Sequence, residues 1–228
     1  MNERNLCQAY YLGLVEYGRA LQLQQALVKK RKKQTVGDLI LLLQHYPVIT
    51  IGHRGNEKNI IVSKEVLKKK SISVFHTDRG GDVTLHCPGQ LVAYPIFDLS
   101  GNGRDIHKYL HDIEEVVILT VKHFFISAGR IAGYPGVWAG DKKVAAIGIK
   151  ISRRITMHGF ALNIYNDLKQ FDYIHPCGIN TKGITSMSRL LGYRPDIMDV
   201  KTAAVRAFSE VFNVVVEEKT EEDLKKSL

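Results

Sequence analysis

The chain of 228 residues has an apolar fraction of 45% and a formal net charge of +9. It contains no run near the ~20 consecutive apolar residues that cross a bilayer, its first residues are too polar for a signal peptide, and its three cysteines are too few for a disulfide framework. We therefore expect one cytoplasmic globular domain over residues 1–228, with a charged tail from about residue 220.

The first part of the chain predicts one helix followed by short strands. A helix is expected over residues 8–33, because Tyr10, Leu14 and Tyr17 fall on one helical face. Extended segments are expected at residues 38–43, 47–52, 71–75, 83–86 and 91–97. Pro95, inside the last of these segments, indicates an edge strand or an irregularity in the sheet.

The second part begins with a long amphipathic helix, for which Asp105 is the expected N-cap. Strands at 144–151 and 155–164 are joined by Ser152-Arg153-Arg154, and this short connection predicts an antiparallel pair although it lacks an Asn-Gly turn. The remaining elements are a helix at 201–212, a strand at 213–217 and a short helix from Thr220. Adjacent strands outnumber βαβ units, so the pattern predicts an α+β fold.

Two loop sequences carry residues typical of an enzyme site. The first, from Arg79 to Gln90, interleaves glycine and proline with polar side chains and brings the backbone close to a ligand. The second places Cys177 after Pro176, which fixes its own φ, and before Gly178, which offers no side-chain cover. This setting predicts an enzyme that uses Cys177 as a nucleophile.

The thiol of a cysteine titrates near ~8.5, so it needs a neighbouring base or cation at neutral pH. The histidines available for this role are His86, His158 and His175. Lys143 is our choice, because it enters a strand of small apolar residues, and burial of a lysine lowers its pKa toward the range of proton transfer. Lys142 and Lys150 are expected to face solvent.

Several of these residues also have an ordinary structural interpretation. Cys7 and Cys87 are interpreted as small buried hydrophobic residues. His158 is also compatible with a core histidine in a strand, and Arg79 with a surface ion pair. The two glycines after Arg79 are compatible with a simple turn.

Three sequence blocks follow one another between residues 79 and 186. They are Arg79-Gly-Gly-Asp-Val-Thr-Leu-His86 with Pro88-Gly89-Gln90; Gly136-Val-Trp138 with Lys143-Val-Ala-Ala-Ile-Gly148; and His158-Gly-Phe-Ala-Leu-Asn163 with Pro176-Cys-Gly-Ile179 and Thr185-Ser186. These blocks resemble those of the octanoyltransferases of lipoate biosynthesis. The resemblance implies a mixed, mostly antiparallel β-sheet flanked by helices, similar to the catalytic fold of biotin and lipoate protein ligases.

The resemblance also implies a two-step acyl transfer without a cofactor or a metal. Cys177 attacks the octanoyl thioester of acyl carrier protein, and a lysine of the acceptor then takes the octanoyl group as an amide. Lys143 matches the lysine that lowers the pKa of the thiol and acts as acid and base. The implied substrate contacts are Arg79, Gly80, Gly81, Asp82, Val83, Thr84, Leu85, His86, Ala146, Ile147, Gly148, Gly159, Phe160 and Ala161.

The implied partners are proteins rather than nucleic acid or membrane. Octanoyl-acyl carrier protein is the donor, and lipoyl domains of 2-oxoacid dehydrogenases or the glycine cleavage H protein are the acceptors. Such partners are commonly acidic, and a basic enzyme associates with them faster at low salt. Two positions depart from the family pattern, since Cys87 stands where a glycine is usual and Gln44 where a glutamate is common.

Three alternatives remain at this point. An ATP-dependent lipoate or octanoate ligase shares the fold, and so does an amidotransferase that moves octanoyl between two lipoyl domains. A basic module that binds nucleic acid without catalysis is the alternative from another class, and its affinity would fall steeply with salt.

Overall fold

Two β-sheets and the helices packed on them make up the fold of the computed structural model, which describes residues 5–100, 105–175 and 183–228. The strands are β1 (Asn5–Val15), β2 (Asp38–His45), β3 (Val48–Ile51), β4 (Ser73–His76), β5 (Val83–His86), β6 (Gln90–Ile96), β7 (Gly129–Ile131), β8 (Tyr134–Ala139), β9 (Lys142–Ser152), β10 (Ile155–Asn163) and β11 (Val214–Lys219). The helices are α1 (Tyr17–Lys32), α2 (Lys64–Lys69), α3 (Ile106–Lys122), α4 (Met187–Leu191), α5 (Ile197–Phe212) and α6 (Glu221–Lys226), with 3₁₀ turns at Glu57–Asn59 and Leu168–Tyr173.

The large sheet has eight strands in the order β11-β1-β2-β6-β10-β9-β8-β7. Strand β1 runs parallel to both β11 and β2, and the other neighbours are antiparallel. The small sheet has the order β4-β3-β5, with β3 parallel to β4 and antiparallel to β5. The predicted α+β class with a mixed, mostly antiparallel sheet is therefore confirmed.

Helices cover both faces of the large sheet, and strand β2 shows why its sequence is a continuous apolar run. Ile40 and Leu42 point into the core that includes residues of α3 and α5. Leu39, Leu41 and Leu43 point to the opposite face, against residues of α1. Because both sides are covered, the side chains that alternate along the strand are all apolar.

The helix expected over residues 8–33 is wrong for residues 8–15, which belong to strand β1. Gly13 adopts a φ of 64°, and the pairing of β1 with β2 shifts register between Tyr11 and Leu14. This bulge interrupts the two-residue alternation of the strand, so apolar residues recur at a spacing that resembles a helix. The helix itself begins at Tyr17.

Pro95 lies in a central strand, so the expectation of an edge strand is wrong and that of an irregularity is confirmed. Strand β6 sits between β2 and β10, with Pro95 opposite Ile40. Its ladder with β10 stops at the Ala93–Phe160 pair, since proline has no N–H to donate. The hydroxyl of Thr156 donates instead to the carbonyl of Pro95 at 2.8 Å.

The other predicted elements are present, whereas α2, β7, β8 and α4 were not predicted and α5 begins four residues before the expected helix. The Asp105 carboxylate accepts the backbone N–H of Lys108 and caps α3. In the β9–β10 hairpin, Arg153 and Arg154 have φ values of 49° and 65°, the backbone of a type I′ turn built without glycine or asparagine. Within the described ranges, no helix combines the length and the apolar character needed to cross a bilayer.

Candidate active site

A cavity of about 520 Å³ lies between the loop that follows β4 and the antiparallel pair β9–β10. Lys143 and all the implied substrate contacts except Leu85 line it. Leu85 is fully buried in the core of the small sheet, because alternate side chains of β5 point to opposite sides. Residues of all three sequence blocks therefore line one cavity.

Glycines let the loop and the two strands approach at backbone distance. The N–H of Gly80 donates to the carbonyl of Ile149 at 2.9 Å. A Cβ on Gly148 would lie 2.8 Å from the carbonyl oxygen of Gly80, and one on Gly159 would lie 2.1 Å from that of Ala93. A side chain at Gly148 would push the loop away from β9, and one at Gly159 would push β10 away from β6, so the glycines here do more than form a turn.

Arg79 is buried, with 7% of its surface exposed, rather than at the protein surface. Its guanidinium donates to the hydroxyl and the carbonyl of Thr50, at 2.9 and 2.7 Å. It also donates to the backbone carbonyls of Gly80 and Asp82, at 3.0 and 2.7 Å. The Arg79 side chain thus holds the loop against strand β3, and it also lines the cavity.

Asp82 fixes the other side of this loop. Its carboxylate accepts the side-chain N–H of Asn59 at 2.5 Å and the backbone N–H of Asn56 at 3.0 Å. Its carbonyl accepts the N–H of Gly52 at 3.0 Å. These bonds occupy the carboxylate, so Asp82 contributes to the cavity by positioning the loop.

Neutral aromatic rings of Tyr17, His86 and Tyr94 form one wall of the cavity, and His45 packs against all three. Nδ1 of His45 contacts the carbonyl of Val15 at 2.8 Å, so it carries the proton, and Nε2 accepts from the hydroxyl of Tyr94 at 2.7 Å. Burial lowers the pKa of His45 to about 4 and holds the pKa of His86 well below its usual value. The rings of His86 and Tyr17 stack with centroids 6.1 Å apart. The wall is therefore uncharged at neutral pH and suits an apolar ligand.

His158, a candidate base, is engaged in a different contact. Its Nε2 lies 2.7 Å from Oδ1 of Asp78, and the other oxygen of Asp78 pairs with Lys150. The hydrogen bond from His158 lowers the pKa of Asp78, while burial lowers the pKa of His158. His158 is thus a neutral donor to a carboxylate, and Lys150 is a partly exposed ion-pair partner rather than a free surface lysine.

Lys143 lies where two cavities meet. A second cavity, of about 560 Å³, shares Lys143, Thr84 and Ala146 with the first. The ammonium nitrogen of Lys143 lies 4.8 Å from the centroid of the Trp138 ring. A Cβ on Gly136, which has a φ of 123°, would lie 3.2 Å from Cε of Lys143. Gly136 and Trp138, from one sequence block, therefore set the path of the lysine side chain, whereas Lys142 is exposed.

Cys177 lies outside the described residues, together with Pro176, Gly178 and Ile179, so its predicted hydrogen-bond distance to Lys143 stays a prediction. The residues that flank this segment line the second cavity, at His175 and Gly183. The backbone of Lys143 is bonded to the chain beyond the segment: its N–H donates to Gly183 and its carbonyl accepts from Thr185, both at 2.9 Å. Both ends of the segment thus lie at the cavity that Lys143 lines.

The two other cysteines are packing residues. Cys7 is fully buried and Cys87 is 1% exposed. Burial raises the pKa of Cys87 to about 12 and raises the pKa of Cys7 further, so both thiols stay protonated. Gln44, the second departure from the family pattern, accepts the N–H of Gly89 at 2.8 Å and so supports the glycine-rich loop.

Several cavity residues were not found by sequence reasoning. They are Tyr17, Arg54, Tyr94, Ile106, His107, Leu110, Gly133, Tyr134, Pro135 and Ile149. No sequence motif distinguishes Tyr17 and Tyr94, because each lies in an apolar run typical of a core element. Ile106 is half exposed in the first turn of α3, and a large apolar residue on the outside of a helix is a feature that indicates a ligand site.

Known proteins share both the sequence and the fold. Residues 16–209 match the family model of the lipoyl protein ligase A/B catalytic domain. An octanoyltransferase from Caldicellulosiruptor bescii is 47% identical, over 94% of this chain and 96% of its own; one from Desulforamulus reducens is 43% identical, over 89% of each. A solved lipoate-protein ligase A bound with ATP has a TM-score of 0.76 and 19% identity, over 99% of this chain and 94% of that one, which shows a common fold.

Proposed function

The chain belongs to the octanoyltransferase family of lipoyl protein ligase A/B catalytic domains, and we propose that it moves octanoyl from acyl carrier protein to a lysine of a lipoyl domain through a thioester on Cys177. The observation that carries the proposal is the position of Lys143. This lysine lies where an apolar cavity, lined by residues of all three family blocks, meets a second cavity that is flanked by the ends of the Cys177 segment.

The first cavity suits an acyl chain. Its volume of about 520 Å³ is within the range of small-ligand sites. Each methylene that leaves water for an apolar wall contributes about 0.8 kcal/mol, so the wall of neutral rings and the apolar side chains of β9 and β10 favour a medium-length hydrocarbon. Charged groups near the chain, such as Arg79, are already bonded to the protein.

In the first chemical step, the Cys177 thiol gives its proton to the amine of Lys143 and the thiolate attacks the thioester carbonyl. The bond to the carrier sulfur breaks, and the ammonium of Lys143 gives the proton to the departing thiolate of the carrier. In the second step, the acceptor lysine attacks the acyl-enzyme, Lys143 takes the amine proton, and the Cys177 sulfur leaves and is protonated again. Exchange of one thioester for another is nearly balanced, and formation of the amide drives the overall reaction without ATP.

The charge of the chain supports acidic protein partners. A net charge of +9 accelerates encounter with acyl carrier protein and with lipoyl domains that carry negative charge, and salt reduces this advantage. We propose lipoyl domains of 2-oxoacid dehydrogenases or the glycine cleavage H protein as acceptors.

The test is the intact mass of the protein after incubation with octanoyl-acyl carrier protein in the absence of ATP. We expect one octanoyl adduct that hydroxylamine removes, and no adduct on Cys177→Ala. Lys143→Met should slow acylation by at least about 100-fold, the effect expected for loss of a general acid–base. Lys142→Met is the matched control, since the neighbouring lysine is exposed and should acylate at the wild-type rate.

Two results would contradict the proposal. Formation of octanoyl-AMP from octanoate and ATP, with no adduct from the carrier protein, would identify an ATP-dependent ligase. Acylation by an octanoylated lipoyl domain, but not by octanoyl-acyl carrier protein, would identify an amidotransferase.

A further inference from the structure

A polar cluster of Asp78, Lys150 and His158 lies beside the cavity, on the side away from Lys143, and His158 is the member that lines the cavity. Lys143 and Ile149 both line the cavity and lie on the same strand, so their Cα atoms are about 20 Å apart at about 3.3 Å per residue. His158 is the partner of Ile149 in the β9–β10 ladder. His158 therefore lines the cavity about 20 Å from Lys143 along the hairpin, on the side away from the proposed reacting centre.

The ring of His158 is fixed on this side of the cavity because other residues hold it in place. Only 2% of its side chain is exposed, whereas 44% of the Asp78 side chain is, so the carboxylate stands between the ring and solvent. Asp78 binds the ring at 2.7 Å and pairs with Lys150 through its second oxygen. The cluster thus joins the loop before Arg79 to both strands of the hairpin.

The backbone of His158 adopts an unfavourable conformation, and contacts from other elements hold it there. Its φ is 60°, a left-handed conformation that is unfavourable for a residue with a Cβ atom. The backbone N–H donates to Oε1 of Gln24 on α1, at 2.9 Å. Two hydrogen bonds from separate elements, one to the backbone and one to the ring, therefore maintain a conformation that the residue alone disfavours.

We propose that His158, held by Asp78 and Lys150, sets the upper limit on the length of the acyl chain that the enzyme accepts. This inference rests on the proposed octanoyl transfer, because it requires that the cavity hold the acyl chain. An extended octanoyl chain spans about 9 Å, at about 1.5 Å per carbon–carbon bond along a zigzag. It fits in front of the cluster together with the thioester and the Lys143 side chain.

A longer chain meets the ring directly. To go further, it must displace the imidazole, break the hydrogen bond to Asp78 and bring methyl carbon against an ion pair. The loop offers no way around, since Gly80 is bonded to Ile149 and packs on Gly148 at a distance that excludes even a Cβ. His158 therefore acts through the shape and polarity of the cavity end and does not take part in the chemical steps.

The experiment measures kcat/KM for transfer from octanoyl-, decanoyl-, dodecanoyl- and tetradecanoyl-acyl carrier protein to a lipoyl domain. The wild type should lose at least about tenfold for each added pair of methylenes beyond its limit. His158→Gly removes the ring, and glycine adopts the left-handed backbone without strain. It should raise the dodecanoyl-to-octanoyl ratio of kcat/KM by at least about tenfold, and Asp78→Ala should raise it in the same direction.

Glu57→Ala is the matched control. Glu57 binds Nε2 of His76 at the same distance of 2.7 Å, but both side chains are about two-thirds exposed. Loss of this carboxylate should leave the ratio unchanged.

The outcomes separate this inference from the proposed function. A wild type without a chain-length limit would overturn the inference, as would an unchanged ratio in both variants. Asp78→Ala alters only a partly exposed side chain, so it decides the question if His158→Gly does not fold. A wild type that is inert with every acylated carrier protein would overturn the proposed function and this inference together.

Discussion

Replacement of Gly136 by alanine tests whether the path of the Lys143 side chain is set by the strand beneath it. Gly136 has a φ of 123°, and its added Cβ would lie 2.7 Å from the carbonyl oxygen of Ala145 and 3.2 Å from Cε of Lys143. The first contact is with backbone and cannot relax without a shift of β8 against β9. The second can relax only if the lysine side chain moves.

Backbone strain at such a φ costs about 1–3 kcal/mol. With the contact to Ala145, we expect the free energy of unfolding to fall by about 3 kcal/mol, which lowers Tm by about 6–12 °C for a chain of this size. A displacement of a catalytic group by about 1 Å costs on the order of 100-fold in rate. Gly136→Ala should therefore reduce kcat/KM for octanoyl transfer by one to two orders of magnitude.

Thermal unfolding and steady-state transfer, measured on the same preparation, check both parts. Gly140→Ala is the control: Gly140 also has a positive φ, of 60°, but an added Cβ would meet no atom within 4 Å. It should lower Tm by about 2–4 °C through strain alone and leave kcat/KM unchanged. Equal losses of Tm and of kcat/KM in the two variants would refute the role assigned to Gly136.

The remaining predictions concern the hairpin, the cysteines and the buried histidine wall. R153N/R154G places a residue pair favoured in type I′ turns at the β9–β10 connection and should raise the free energy of unfolding by about 1 kcal/mol. Urea titrations measure this, and an unchanged free energy of unfolding would contradict the turn assignment. Iodoacetamide at neutral pH should alkylate Cys177 alone in the folded protein, since burial raises the pKa of Cys7 and Cys87. Peptide mass mapping checks this, and alkylation of Cys7 or Cys87 would contradict their burial. Burial lowers the pKa of His45 to about 4, so the unfolded chain takes up a proton that the folded protein does not as the pH falls from about 6.5 to 4. Over that interval the free energy of unfolding of the wild type should fall relative to that of His45→Gln. Urea titrations at several pH values measure both proteins, and an equal pH dependence in the two would contradict this prediction.

Much of the site could be predicted because its residues are concentrated in compact motifs. The glycine-rich loop and the hairpin strands each supply consecutive contacts, and their glycines indicate close approach of backbone before any coordinates are known. Gly80 and Gly148, far apart in sequence, meet across the cavity for this reason.

Other parts of the site depend on tertiary structure that local patterns do not encode. The partner of His158 is Asp78, at a distance of 80 residues along the chain, and its left-handed backbone has no sequence signature. Tyr94 enters the cavity wall because its hydroxyl donates to His45, 49 residues away. The misassigned start of α1 has a local cause, since the bulge at Gly13 imitates helical spacing.

The pairing of β1 with β11 has a consequence for how the protein forms during synthesis. Strand β1 is translated first and β11 near the end of the described chain, yet they are neighbours in parallel, with Cys7 opposite Val216. Until residues 214–219 leave the ribosome, β1 presents an unpaired edge that carries Leu6 and other apolar side chains. An open apolar edge is a template for aggregation. A nascent chain that stalls before β11 is thus the form of this protein most in need of a chaperone.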